Sequence, residues 1–216
     1  MTMFNLSQED RDQLKELLNI GVSHAGTKLS QMASRRVAIS VPFIDIKTAS
    51  TVAQFVPKEE EVSVAVLLQL TGGVEGYVLL YFPHHAAVQL LNSICGKQVG
   101  DLRAFDLYDR SVFQEVGNVL AGGMLTGLAQ FLKVQLLHSV PDVVIDMSGA
   151  MFNSLSATMI ASHDEFVSLD VAISVDRSGD DEIEVGLEEE AVGRMFLFLG
   201  PQATTDILTL TRTMVS

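Results

Sequence analysis

The chain has 216 residues, 48% hydrophobic and 19% charged, so it is long and apolar enough to fold around a large core rather than remain disordered. Its formal net charge of −13 repels phosphate backbones and anionic lipids, so neither nucleic acid nor a membrane is expected as a partner. Its single cysteine, Cys95, excludes an internal disulfide and a zinc site built from several cysteines. Because the N-terminus also lacks the apolar core of a signal peptide, we expect a cytoplasmic protein.

The first half of the chain predicts a helix, three strands and a second helix. Ser7 is a suitable N-cap for the first helix, and Gly96 is a suitable stop for the second. Pro42 lies inside the first strand and lacks a ladder donor, so it predicts a sheet edge or a break in pairing. From apolar periodicity and turn residues, the expected elements are a helix over residues 7–33, strands over 37–46, 62–70 and 76–82, and a helix over 84–95.

The second half predicts the same order of elements. They are a helix over residues 107–132, a strand region around 134–146, strands over 166–175 and 193–200, and a closing helix over 201–210. An acidic insertion, residues 176–190, separates the last two strands. It is compatible with a solvated hairpin extension or with a calcium loop, although its oxygen spacing fits no known calcium-loop pattern.

These elements predict one α+β domain over residues 1–216, built from an internal pseudo-two-fold repeat. Repeat 1 covers about 7–96 and repeat 2 about 107–213. One repeat alone cannot bury the apolar face of its sheet, whereas two repeats can join their strands and share a core. We therefore expect an antiparallel sheet with the two long helices packed side by side.

One polar motif occurs in both long helices at a constant offset of 99 residues. In the 31 positions from Asp12 to Pro42, eight are identical to the residues 99 positions later. Self-similarity at a fixed offset indicates duplication of a structural unit. The motif residues are Asp12, Glu16, Asn19 and Pro42 in the first copy, and Ser111, Glu115, Asn118 and Pro141 in the second.

The first three residues of each motif lie on one face of their helix. An α-helix turns about 100° per residue, so Asp12, Glu16 and Asn19 fall within an arc of about 60°. Asparagine is unfavourable inside a helix because its side chain competes for backbone partners. Its presence at equivalent positions of both helices favours a function. A solvated helix face and a duplication that retains no activity are the alternatives.

The pattern [D/S]-x₃-E-x₂-N-x₂₂-P resembles the signature of the CheC/CheX/FliY family of chemotaxis phosphatases. Two intact copies are similar to the CheC members, whereas CheX-like members typically have one. The family commonly has glycine immediately before the asparagine. Gly117 agrees with that pattern, whereas Leu18 departs from it, so whether both copies are active stays open.

The resemblance implies hydrolysis of the aspartyl phosphate of a response-regulator receiver domain of the CheY type, in two-component chemotaxis signalling. It implies that Asn19 and Asn118 orient the attacking water and that Glu16 and Glu115 pair with the active-site lysine of the receiver. Asp12 and Ser111 would be supporting contacts, and Pro42 and Pro141 would shape the strand behind each helix.

The resemblance further implies no cofactor or metal of the protein's own, since the bound receiver supplies Mg²⁺. The deamidase CheD is a further partner that it implies. The alternative function is a non-catalytic adaptor that binds a receiver or CheD, similar to the docking proteins of the flagellar switch.

Overall fold

The computed structural model describes residues 6–33, 37–48, 59–72, 74–96, 98, 100–160, 165–175 and 193–215. Five α-helices and seven strands are present in these ranges. The helices are α1 (Gln8–Ala33), α2 (His84–Cys95), α3 (Leu107–Leu132), α4 (Ser148–Ile160) and α5 (Pro201–Val215). The strands are β1 (Val37–Thr48), β2 (Val62–Gly72), β3 (Gly76–Phe82), β4 (Leu136–His138), β5 (Asp142–Met147), β6 (Glu165–Val175) and β7 (Gly193–Leu199). None of these helices is long and apolar enough to cross a membrane.

Most of the predicted elements are confirmed. The helix expected over 107–132 has those bounds, and Gly96 ends α2 in the left-handed conformation with φ 64°. The strand region around 134–146 is divided into β4 and β5. Helix α4 was not predicted and is an addition to the expected order. The acidic insertion, residues 176–190, lies outside the described residues.

The strands form one antiparallel sheet in the order β1-β6-β7-β3-β2, with β4 and β5 both pairing with β2. The two halves of the chain exchange their first strands. β1 of the first half pairs with β6 of the second, whereas β4 and β5 of the second half pair with β2 of the first. The central β3–β7 pair joins the two hairpins. The pseudo-two-fold arrangement expected from the sequence is therefore present, and it couples the halves through strand pairing.

The two motif prolines lie at equivalent irregularities of the sheet. In β1 the register shifts by one residue between Ser40 and Phe43, on either side of Pro42. Pro141 lies between β4 and β5, where the pairing with β2 is also interrupted. Because proline cannot donate to a ladder, both breaks follow directly from the sequence.

The long helices α1 and α3 pack together on one face of the sheet, with α2 and α5 beside them. Leu14, Leu18, Val22 and Leu29 of α1 are at most 3% exposed and join the main core. The opposite face of the sheet has a smaller aromatic cluster beneath α4, in which the rings of Phe152 and Phe196 meet edge to face. The predicted helix pair is confirmed, and α4 provides a third layer.

Helices α1 and α3 approach each other closely because small residues line their crossing. A Cβ atom at Gly123 would lie 2.7 Å from Cα of Ala25, and one at Gly127 would lie 2.8 Å from Cα of Gly21. These pairs run in opposite directions along the chain, so the two helices are antiparallel. No side chain larger than hydrogen fits at either glycine without displacing backbone.

Asp10 connects the start of α1 to the end of α5. Its carboxylate accepts from the backbone amide and the hydroxyl of Ser7, at 3.0 and 2.7 Å, and it forms an ion pair with Arg212. Burial alone would raise the pKa of Asp10, but the bonds from Ser7 and Arg212 outweigh it and hold the pKa below 3.8. The charged carboxylate therefore stabilises the folded state.

We expect Asp10→Asn to lower the free energy of unfolding at pH 7 by about 1–3 kcal/mol, because it removes a largely buried charged acceptor. Since the folded-state pKa is lowered, the stabilisation is complete above pH 3.8 and is lost as the pH falls through the folded-state pKa. Urea unfolding at pH 7 and pH 3 should show a smaller acid loss in the variant than in the wild type. The control is Asp12→Asn, the same substitution at an exposed position of α1, which should change stability by less than about 0.5 kcal/mol. An equal acid loss in Asp10→Asn and the wild type would contradict the assignment.

Adjacent glycines in α3 test the helix crossing. Gly123→Ala should lower the free energy of unfolding by about 1–3 kcal/mol, because its Cβ would overlap the backbone of α1. Gly122→Ala should be neutral or stabilising by up to about 1 kcal/mol, because the nearest atom to its Cβ is Nε2 of His138 at 3.7 Å. Thermal and urea unfolding of the two variants measure the difference. Equal stabilities would show that α1 and α3 are not in close contact.

Candidate functional site

The first motif face lies on α1 and is open to solvent. Asp12, Glu16 and Asn19 are all exposed. Oδ1 of Asp12 accepts a hydrogen bond from Nε2 of Gln8 at 3.1 Å, one turn earlier in the helix. Asp12 is thus oriented within its own helix, and the carboxylate and amide of the next two turns face outward.

The second motif face lies on α3, where Ser111, Glu115 and Asn118 are also exposed. Nδ2 of Asn118 donates to Oε2 of Glu115 across a long 3.5 Å contact. This contact directs the amide nitrogen toward the carboxylate and leaves Oδ1 of Asn118 available as an acceptor. The hydroxyl of Ser111 donates to the carbonyl oxygen of Tyr108 at 2.6 Å. The second face therefore presents an amide oriented by its own carboxylate.

An arginine anchors each motif helix to the strand that follows it. Nη1 of Arg11 donates to the carbonyl oxygen of Ile44 at 2.7 Å, and Nη1 of Arg110 donates to that of Val143 at 3.3 Å. Both partners lie 33 residues further along the chain. The motif described from the sequence did not include these arginines. The signal was present, since Arg11 and Arg110 are identical at the same offset of 99 and directly precede Asp12 and Ser111.

Both motif helices also begin in the same way. Oγ of Ser7 accepts from the amide of Asp10, and Oδ1 of Asp106 accepts from that of Asp109. In return, the carboxylate of Asp10 accepts from the amide of Ser7, and that of Asp109 accepts from the amide of Asp106. These reciprocal bonds satisfy backbone donors of the first turn and define where each helix begins. The N-cap predicted at Ser7 is confirmed.

Pro141 supports the second motif from beneath. It is buried, its carbonyl oxygen accepts from Nε2 of Gln114 at 3.3 Å, and its Cβ lies 3.3 Å from where a Cβ of Gly117 would be. A side chain at Gly117 would also lie 2.8 Å from Cγ1 of Val66. Glycine before Asn118 thus permits a close approach of α3 to the strand behind it, and Pro141 is not on the surface that a partner could reach.

The first copy reaches a similar arrangement with a larger residue. Leu18 is only 2% exposed, so it faces the core and leaves the neighbouring Asn19 accessible. Leucine at this position therefore does not cover Asn19. The backbone of Pro42 lies at the register shift of β1, and its side chain lies outside the described residues.

The two motif faces remain separate. Asn19 precedes Ala25 by six residues and Asn118 precedes Gly123 by five, so each lies about 8 Å before the helix crossing. Because the helices are antiparallel, these displacements point in opposite directions and place the asparagines about 16 Å apart along the helix axes. The molecule thus presents two faces, each with one carboxylate and one amide, rather than one composite centre.

The arrangement suits the positioning of a water molecule and of a partner. In the ranges that the structure describes, no group of three or more His, Cys, Asp or Glu side chains could hold a metal ion. A neutral amide can accept a hydrogen bond from water through its oxygen and donate to an anionic oxygen through its nitrogen. An exposed carboxylate one turn away can bind a cationic side chain of a partner. Each face can therefore orient a water molecule and bind a partner.

Comparison with known proteins agrees with this architecture. A model of the CheC-like family matches residues 109–145, which cover most of α3 and the two strands behind it. The chain is 27% identical over 207 residues to the CheY-P phosphatase CheC of Bacillus subtilis (strain 168). That match covers 93% of this chain and 99% of the Bacillus protein.

Solved structures share the fold at lower identity. FliY of Thermotoga maritima superposes with a TM-score of 0.74 at 18% identity, covering 96% of this chain and 98% of FliY. The middle domain of FliM from H. pylori superposes with a TM-score of 0.63 at 9% identity, covering 95% and 99% of the two chains. The resemblance and the fold class expected from the sequence are thereby confirmed. A CheC-like signature over the second motif helix, similarity to CheC along most of the chain and a fold shared with FliY all agree with the resemblance predicted from the sequence.

Proposed function

We propose that this protein hydrolyses the aspartyl phosphate of a phosphorylated response-regulator receiver domain of the CheY type, in the cytoplasm. The observation that carries the proposal is the pair of exposed faces, each with a glutamate and an asparagine one turn apart. The similarity to a CheY-P phosphatase supports it. Neither face needs a covalent nucleophile for this reaction, since the receiver already holds the phosphoryl group as a reactive acyl phosphate.

The asparagine positions the water. Oδ1 of Asn19 or Asn118 accepts a hydrogen bond from the attacking water and holds the water oxygen in line with the bond that breaks. Such positioning can supply much of the acceleration, because phosphoryl transfer needs alignment and charge stabilisation more than covalent help. At the second face, the contact from Nδ2 of Asn118 to Glu115 presets this orientation.

The glutamate orients the partner. In this mechanism Glu16 and Glu115 bind the active-site lysine of the receiver, fixing the register of the receiver against the helix. Asp12 and Ser111 support the same face, since each already bonds within its own helix. Arg11 and Arg110 are positioning residues that hold the helices on the sheet.

The reaction balances without any further reactant. The water oxygen forms a new bond to phosphorus while the bond between phosphorus and the aspartate oxygen breaks, and the aspartate leaves as a carboxylate. The protons of the water remain with the inorganic phosphate and the solvent. Mg²⁺ held by the receiver neutralises charge on the phosphoryl oxygens.

A docking protein without hydrolysis is the second candidate. The observation that favours it is the fold shared with the middle domain of FliM. In that case the same faces bind a receiver, or the protein binds CheD, and the lifetime of the phosphoryl group is unchanged. The intact carboxylate and amide on both faces favour the phosphatase.

The test is phosphate release from a phosphorylated CheY-type receiver in Mg²⁺, with Asn19→Ala, Asn118→Ala and the double variant. We expect wild type to accelerate release and the double variant to lose about a hundredfold or more of that acceleration, because the water is no longer positioned. The rate of phosphate release that remains in each single variant measures how much the other face contributes. The matched control is Asn153→Ala, at an exposed asparagine of α4 on the other side of the sheet, which should keep wild-type activity.

Binding measured in parallel separates the two candidates. If wild type binds the phosphorylated receiver yet leaves the rate of release unchanged, the docking protein is the correct description. If the double variant retains full acceleration, the two asparagines do not position the water.

A further inference from the structure

Large apolar side chains are exposed around the second motif face. Leu107 is 86% exposed, Tyr108 58% and Val140 81%. Side chains of this size usually bury most of their surface, and exposed apolar clusters on soluble proteins commonly mark interaction sites. We call these three residues the apolar rim.

The rim is continuous with the motif face. Leu107 and Tyr108 lie four and three residues before Ser111, so all three share one side of α3 at neighbouring turns. The bond from the hydroxyl of Ser111 to the carbonyl oxygen of Tyr108 joins the two parts directly. The stripe of apolar residues at the start of α3 thus leads into the stripe that ends at Asn118.

Val140 borders the same face from the side of the sheet. It directly precedes Pro141, whose carbonyl oxygen accepts from Gln114 and whose ring lies against Gly117. Val140 therefore lies beside the turn of α3 that presents Glu115 and Asn118. The apolar rim borders the second face at its beginning and along one side.

The first face differs at the positions equivalent to Leu107 and Tyr108, whereas Val140 has Val41 at its equivalent position. Gln8 and Glu9 occupy the places of Leu107 and Tyr108 at the offset of 99, and both are exposed. With Asp12 and Glu16, the first face carries three carboxylates, which Lys15 beside them offsets only in part. The second face has Glu115 alone. The two copies thus present the same carboxylate and amide on chemically different surroundings.

We propose that the apolar rim is a docking surface for the receiver domain and makes the second face the tighter of the two binding sites. This inference rests on the proposed function. A domain that reaches Asn118 can also cover Tyr108, because the two lie about 15 Å apart along the axis and an interface of about 800 Å² per partner is about 30 Å across. Tyrosine is among the residues that contribute most to such interfaces.

Charge favours the second face over the first. The phosphorylated receiver presents an anionic phosphoryl group, which the three carboxylates of the first face repel more than the single one of the second. The second face combines less repulsion with an apolar contact. The second face therefore opposes the docking of a domain with an anionic centre less than the first face does.

The test exchanges the surroundings of the two faces. Leu107→Gln with Tyr108→Glu gives the second face the residues of the first, and should raise the KM for the phosphorylated receiver about tenfold while kcat changes less than twofold. Tyr108→Ala should raise KM in the same direction without adding charge. The reciprocal pair, Gln8→Leu with Glu9→Tyr, should lower KM when made together with Asn118→Ala, which leaves the first face to act alone.

The control is Leu137→Gln, at an exposed leucine of β4. His138 approaches α3 at Gly122, and side chains alternate along a strand, so the side chain of Leu137 lies on the other face of the sheet. This variant should keep the wild-type KM. Circular dichroism and thermal unfolding establish that the variants are folded.

An unchanged KM in both Leu107→Gln/Tyr108→Glu and Tyr108→Ala would overturn the docking surface while leaving the phosphatase intact. Light scattering provides the other decisive outcome. If the rim variants convert a dimer to a monomer without changing KM, the rim binds a second copy of this chain, and the inference is wrong. Failure of wild type to release phosphate would instead reject the proposed function itself.

Discussion

The close crossing of α1 and α3 is the constraint on which the candidate sites depend. Gly21 and Ala25 of one helix meet Gly123 and Gly127 of the other, with backbone atoms in near contact. Such a contact gains dispersion energy over a long interface and leaves no room for the helices to rotate. Because rotation is blocked, the polar stripe of each helix is held outward. The exposure of both asparagines therefore follows from residues that are not part of the motif.

Strand exchange makes the two halves interdependent. β1 completes the hairpin of the second half, and β4 and β5 complete that of the first. Each motif helix is also anchored to its own following strand by Arg11 or Arg110, so the position of one face depends on strands that pair with the other half. The duplication is retained at the level of hydrogen bonds, including the helix caps at Ser7 and Asp106. Backbone geometry has been kept while the surface residues have changed.

The changes at the surface have consequences for chemistry. Both faces keep a carboxylate and an amide, but Gln8 and Glu9 surround the first with polar and acidic groups, whereas Leu107 and Tyr108 surround the second with apolar ones. Gly117 allows α3 to lie against Pro141, whereas Leu18, at the equivalent position of α1, is buried in the main core. Electrostatics and desolvation therefore differ between the two faces even though each presents a glutamate and an asparagine. One duplicated backbone arrangement can in this way present two faces with different surroundings.

The sequence by itself determined the elements and the motif. The bounds of α3, the stop at Gly96, the pairing break at Pro42 and the arc of Asp12, Glu16 and Asn19 all follow from local rules of periodicity and donor loss. The sequence also contained a signal for α4, since Met151, Phe152, Leu155 and Met159 have helical spacing, but the lack of charged residues hid its amphipathic face. Only the tertiary structure decided which strands exchange, that the two faces lie apart on antiparallel helices, and which apolar residues of α3 remain exposed. These properties depend on contacts between distant residues, and local preferences do not specify the partner in such contacts.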